Sequence, residues 1–254
     1  MTITASTAEW ARLEQLTDAL PATPAFDATV TSLMPPAARR YLDAAIAPGT
    51  PLAPGARLTM RGSIKLGRWL PFRARQLLVP SLGTVWVARV GGVIFGSDRY
   101  VAGVGGMEWK LLRLFRVMRA EGADVTRSAA ERAAGESIWV PTAVAVAGEL
   151  RDDGIDRVRV DLTVDGHPVT VHHELAPDGR LGASWFQRWG DPDRSGTWAL
   201  HPFGVEALES RTFDGVTFPA RGQAGWHYGT ERWGDGVFFR YEITDYELVA
   251  AGRR

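Results

Sequence analysis

Residues 156–175, "DRVRVDLTVDGHPVTVHHEL", decide the fold class. Val158, Val160, Leu162 and Val164 alternate with Arg157, Arg159, Asp161 and Thr163. That period of two puts apolar side chains on one face of a strand and polar ones on the other. Asp165-Gly166 then interrupts the pattern. A two-residue Asp-Gly loop between alternating segments predicts a β-hairpin, because its mirror-image turn needs positive φ at both central residues. The return segment alternates again, with Val169, Val171 and His173 set against Thr170, His172 and Glu174. A second turn, "PDG" at 177–179, leads into "RLGASWFQRW".

The same texture extends in both directions. From Arg57 onward, short runs rich in Val, Phe, Trp and Thr are separated by Gly, Pro and Asp-Gly. Further strands are predicted at 57–66, 71–79, 84–89, 97–104, 107–114, 197–201, 212–219, 223–228 and 236–248, about a dozen in all. Antiparallel strands in that number curl into a barrel or half-barrel, since a wide flat sheet leaves long exposed edges. The predicted class is α+β, mainly β: a strongly curved antiparallel sheet with N-terminal helices and one short embedded helix.

Residues 1–50 read as helical. Trp10, Leu13, Leu16 and Leu20 recur at helical spacing, with Thr7 as the predicted cap, and "PPAARRYLDAAIAPG" has Pro at its start and Pro48-Gly49 as its stop. With no repeat, low-complexity tract or long linker, this segment is expected to pack on the β-rich body at 55–250 as a single domain spanning 1–254.

Composition narrows the function classes. Lys plus Arg and Asp plus Glu both total 29 in 254 residues, so no global charge steers the chain toward nucleic acid or an anionic membrane. The absence of cysteine removes disulfides, thiolate nucleophiles and thiolate metal sites. The N-terminal sequence has no basic start followed by an apolar run, and no stretch reaches the roughly 20 apolar residues of a membrane span. The cytoplasm is the expected compartment. Oligomeric state is not legible.

Motifs for the common chemistries are missing. No glycine-rich phosphate loop ends in Lys-Ser or Lys-Thr, and the glycines of "VGGVIFGSDRYVAGVGG" lie between strands instead of opening a helix. There is no G-x-S-x-G elbow and no H-E-x-x-H helix. His172 and His173 are adjacent on a strand and point to opposite faces, which predicts one solvent-facing and one packed, hydrogen-bonded ring. No metal and no cofactor are expected. Lys110, Arg113, Arg116 and Arg119 in "WKLLRLFRVMR" recur every three residues and read as one basic, solvated, helical or irregular face.

Ten tryptophans are the positive oddity. Rings of that size fill a curved sheet's interior or line an apolar cavity. Trp86, Trp139, Trp185 and Trp226, with His173, are the candidate lining residues. Stacking of single-stranded nucleic acid on such rings is disfavoured by the neutral charge balance.

"MPPAARRYLDAAIAPGTPL", "RLTMRGSIKLGRWLPFRARQ", "SDRYVAGVGGMEWKLL" and above all "RSAAERAAGESIWVPTA" carry a family resemblance. Asp98, Gly103, Gly105, Arg132, Glu136, Pro141 and Thr142 are its most specific elements. The chain resembles a bacterial family of unknown function, of the 6544 type, from about Leu33 to the final strand. The resemblance implies a bacterial origin and one integrated domain, with no reaction or catalytic residues attached. Its general look is also similar to the curved sheets of lipoprotein carriers that hold acyl chains, which is an analogy of fold.

Residues 128–142, "SAAERAAGESIWVPT", read as a helix of about ten residues. Ser128 and Glu131 fit a capping box, the alanines favour helix, and Pro141 biases Val140 to an extended shape. Arg132 and Glu136 are four apart and share a helical face. Facing outward, the pair is a surface ion pair. Facing inward, it positions a polar head or supplies an acid-base group at an apolar cavity. Asp98 and Tyr100 share one face of their strand and are the next candidates.

Two functions follow. The first is a cofactor-independent cyclase, isomerase or lyase of a biosynthetic pathway acting on a bulky hydrophobic small molecule. Glu136 and Asp98 would be its catalytic acid-base groups, with Arg132 and Tyr100 binding the ligand. The second is a non-catalytic carrier of lipid or another hydrophobic ligand.

Overall fold

The Asp165-Gly166 hairpin forms as predicted in the computed structural model, which describes residues 2–252, with side chains for 6–252. The two turn residues have φ of 48° and 86°, and Val164 pairs with His167 across them. Helices α1 (Thr2–Asp18), α2 (Ala28–Thr31) and α3 (Pro36–Ala45) precede the strands. A first meander follows: β1 (Gly55–Leu66), β2 (Arg68–Val79), β3 (Gly83–Val90), β4 (Ile94–Val101), β5 (Val104–Leu111) and β6 (Phe115–Glu121). Then come α4 (Ala123–Gly135), a 3-10 turn at Glu136–Trp139 and α5 (Pro141–Ala147). The second meander holds β7 (Glu149–Asp152), β8 (Arg157–Val164), β9 (His167–Leu175), β10 (Leu181–Gly190), β11 (Ala199–Phe213) and β12 (Val216–Trp226). After α6 (Trp233–Gly236) it ends on β13 (Val237–Val249).

All thirteen described strands form one antiparallel sheet in the order β6-β5-β4-β3-β2-β1-β13-β12-β11-β10-β9-β8-β7. The sheet stays open, with β6 and β7 as its edges. Its curvature shows in what α4 touches: the helix packs on β3 to β6 in one half and on β8 to β10 in the other. The architecture is therefore a half-barrel wrapped around a central helix, as the strand count implied. At one end Tyr100 of β4 reaches across the gap, its hydroxyl 3.4 Å from Asp165 Oδ2 in the β8–β9 turn.

Both faces of the sheet are buried where the end of β2 meets the start of β3, which is why Gln76–Val79 and Gly83–Trp86 are buried without alternation. Leu78 and Trp86 point into the concave core, while Leu77 and Val85 point to the convex side and pack with Leu13 of α1. Burying a leucine as fully as Leu13 contributes about 1.5–3 kcal/mol. Helix α3 buries Ala37, Ala38, Tyr41, Leu42 and Ala45. Asp152 on β7 serves its N-terminus, accepting from Ala37 N at 3.0 Å and Ala38 N at 3.1 Å, which satisfies donors a Pro-led helix start leaves open.

Several sequence expectations need correction. The strand placed at 212–219 is two strands: Asp214-Gly215 turns the chain, with φ of 47° and 84°, and Phe213 pairs with Val216. Apolar residues on both sides of that turn hid the break. The segments at 197–201 and 223–228 are the ends of the long strands β11 and β12. The basic run is no helix: Lys110 lies on β5, Leu112-Arg113 make the turn with φ of 51° and 63°, and Arg116 and Arg119 lie on β6. Helix α1 begins at Thr2, upstream of the predicted cap Thr7.

The capping box is also corrected. Helix α4 starts at Ala123 with Gly122 at the N-cap, so Ser128 is interior and Glu131 has other work. Glu131 is buried, pairs with Arg127 Nε at 2.9 Å and accepts from the backbone N–H of Trp189 on β10. Pro141 ends one helical stretch and, as the first residue of α5, begins the next.

Candidate functional site

The approach of α4 to the sheet fixes the site. A Cβ on Gly105 of β5 would lie 2.5 Å from Thr126 Cα, so only glycine lets helix and strand come this close. Gly105 N also donates to Thr126 Oγ1 at 3.1 Å. At the other end of the helix, a Cβ on Gly135 would meet the Phe186 ring at 2.2 Å. Between α4 and the concave face of the sheet lies a cavity of about 220 Å³. Ile64, Met107, Ile138, Phe186, Phe203, Val205, Phe238 and Phe239 supply its apolar wall, with Trp86, Trp139 and Trp226. Asp98, Arg132, Glu136 and Arg188 are its charged lining.

The face of α4 that carries Arg132 and Glu136 looks inward. Arg132 Nε donates to Glu136 Oε1 at 2.7 Å, and Nη1 donates to Asp98 Oδ2 at 3.0 Å. The remaining oxygens are also taken: Trp109 Nε1 donates to Asp98 Oδ1 at 2.9 Å, and Gln76 Nε2 to Glu136 Oε2 at 2.6 Å. Trp86 lies under the Arg132 guanidinium, 5.5 Å from ring centre to Cζ. Burial works against the charged form of Arg132, but Glu136 and Asp98 outweigh it and raise its pKa.

Arg188 is held differently. Its Cζ sits 4.8 Å from the Phe203 ring centre and 5.1 Å from that of Trp226, and its Nε reaches Ser128 O at 3.4 Å. It forms no ion pair among the described residues. Its side chain is half-buried and lines the cavity. Burial, and after it the charge of Arg132, pushes its pKa down to about 10, with Glu136, Glu131 and Asp98 pulling the other way. The guanidinium is still charged at neutral pH.

Of the residues singled out from sequence, Asp98, Arg132, Glu136, Trp86, Trp139 and Trp226 come together around the cavity. Tyr100, Trp185 and His173 do not line it. Tyr100 is fully buried, and burial followed by Asp165 pushes its hydroxyl up to about 12. Trp185 is adjacent to the inward Phe186 and so faces outward, stacked between His172 (5.4 Å) and Tyr228 (5.8 Å). His173 is fully buried against Tyr41, with Nδ1 3.1 Å from Ser184 Oγ, and burial pushes it down to about 4.

Sequence reasoning missed Arg188 and Gln76. Alternation would have found both: Arg188 follows Ser184 and Phe186 on the inward face of β10, and Gln76 follows Phe72 and Ala74 on β2. Among the described residues no cluster of His, Asp and Glu is arranged to hold a metal ion, and no helix is long and apolar enough to cross a membrane.

No curated protein matches the chain. Solved structures to which the chain is similar include the following two. One is an outer membrane lipoprotein-sorting protein domain from Vibrio parahaemolyticus (TM-score 0.38, 12% identity, covering 76% of this chain and 85% of that one). The other is a LolA superfamily protein from Nitrosomonas europaea (TM-score 0.43, 10% identity, covering 84% and 91%). The sequence resemblance is more decisive, because the model of the family of unknown function DUF6544 matches residues 25–239, and the chain belongs to that family.

Proposed function

We propose that the protein binds a hydrophobic small molecule or lipid chain in the cavity between α4 and the sheet, as a carrier and without acting on it chemically. The observation that carries this reading is the lining: a predominantly apolar, aromatic-rich wall around about 220 Å³. A dry cavity of about 150 Å³ already takes up benzene. A space half as large again suits a fused ring system or a chain of medium length.

The same geometry favours a carrier over a cyclase, isomerase or lyase. General acid-base work needs a carboxyl group within reach of the proton it moves. Asp98 and Glu136 each have both oxygens engaged by protein donors, and they share Arg132. These groups hold α4 against β2 and β4.

The test is uptake of a neutral fluorescent probe, N-phenyl-1-naphthylamine, followed by quenching of the tryptophans around the cavity. Saturable uptake by the wild-type protein is expected. The Ala224→Phe variant, which fills the cavity from β12, is expected to abolish uptake while its thermal melt stays cooperative. Uptake that is absent in the wild type, or unchanged in Ala224→Phe, would sink the reading.

A further inference from the structure

Arg188 asks for a partner that the described chain does not supply. An arginine carries five N–H donors, and this one uses a single long contact to Ser128 O. Withdrawing a guanidinium from water is unfavourable unless an anion or several acceptors compensate it. Stacking on Phe203 and Trp226 fixes the group without neutralising it. The nearby carboxylates are already committed, Asp98 and Glu136 to Arg132 and Glu131 to Arg127. What remains is a pre-positioned cation with its free donors on a cavity whose other charged groups are already paired with one another.

We infer that the cavity selects amphiphiles with a singly charged carboxylate head, seated on the Arg188 guanidinium, with the apolar tail against Phe186, Phe239 and Met107. This rests on the hydrophobic-ligand reading and names the ligand class. The planar fork of arginine matches a carboxylate bidentately. A doubly charged phosphate head fits less well, because Asp98 and Glu136 face the same space and repel the second charge. A cationic head meets both Arg188 and Arg132.

Displacement of N-phenyl-1-naphthylamine by decanoate, decanol and decylamine tests this. Decanoate is expected to bind at least about tenfold more tightly than decanol, the range of one charge-assisted hydrogen-bonded contact, and decylamine more weakly than either. Arg188→Gln is expected to bring decanoate down to decanol, and Arg188→Lys to keep part of the preference. Equal binding of decanoate and decanol by the wild type overturns the carboxylate assignment and leaves hydrophobic binding intact. A decanoate preference that survives in Arg188→Gln overturns the role of Arg188. Failure to take up the probe at all defeats both readings. Should Arg188→Gln not fold, the wild-type ratio and the Arg188→Lys ratio decide between these outcomes.

Discussion

Arg132 on α4 and Arg188 on β10 face one cavity and are held in different ways. Arg132 bridges two carboxylates at 2.7 and 3.0 Å, and those carboxylates are bonded in turn to Gln76 and Trp109. Arg188 lies between aromatic rings with no carboxylate of its own. Burial weakens the charged form of both, yet the pKa of Arg132 ends raised and that of Arg188 lowered. A buried guanidinium with its charges closed on the protein is a piece of architecture. One left open toward a cavity is free to serve as the binding group proposed above.

The contrast is most exposed to failure at Arg132. Arg132→Met strands Asp98 and Glu136 in a mostly buried site, and a loss of about 3 kcal/mol is expected, at the lower end for a broken buried pair because both keep some contact with the cavity. Urea denaturation measures it, and a change below about 1 kcal/mol would mean the network is not structural.

His173 tests the same issue for a group that can discard its charge. Its folded-state value of about 4 lies below the usual 6.5, so the unfolded chain binds the proton more readily. Stability conferred by the neutral ring is complete above pH 6.5 and falls as pH drops toward 4, by about 3 kcal/mol over the window. Urea midpoints across that range should fall more steeply for the wild type than for His173→Gln. Parallel profiles would contradict the burial argument.

A double-mutant cycle addresses the pairing directly. Asp98→Asn is expected to couple to Arg132→Met by about 1–2 kcal/mol and to Arg188→Met by less than about 0.5 kcal/mol. Coupling of similar size in both cycles would erase the distinction between the two arginines. The smallest expected effect is on stability in Arg188→Met alone, within about 1 kcal/mol of wild type in either direction, since an apolar replacement of an uncompensated buried charge is near neutral. A loss beyond about 2 kcal/mol would expose a structural partner.

Much of this was legible in the sequence. Asp165-Gly166 announced its hairpin because an αL turn leaves a residue signature, and alternation separated His172 from His173 correctly. Asp214-Gly215 has the same signature but is flanked by apolar residues on both sides, so the strands on either side blended. The shared face of Arg132 and Glu136 followed from spacing. Its inward direction did not, because α4 is oriented by Gly105 and Gly135 against distant strands. The capping box failed for a related reason: Glu131 is drawn to the Trp189 backbone, far away in sequence. Trp185 was misplaced by composition, where the inward Phe186 beside it should have decided the matter.

The strand order has a consequence for how the chain assembles. Neighbouring strands are consecutive in sequence throughout both meanders, and the one described exception is β1 against β13, where Gly55 meets Val249. Each meander is built from contacts of low sequence separation, whereas the seam between them closes the loop from Gly55 to Val249, about three quarters of the chain. The cavity takes its walls from strands on both sides of that seam and from α4 between the meanders. It is complete only when the two halves have met, and a ligand that filled it would favour the joined state.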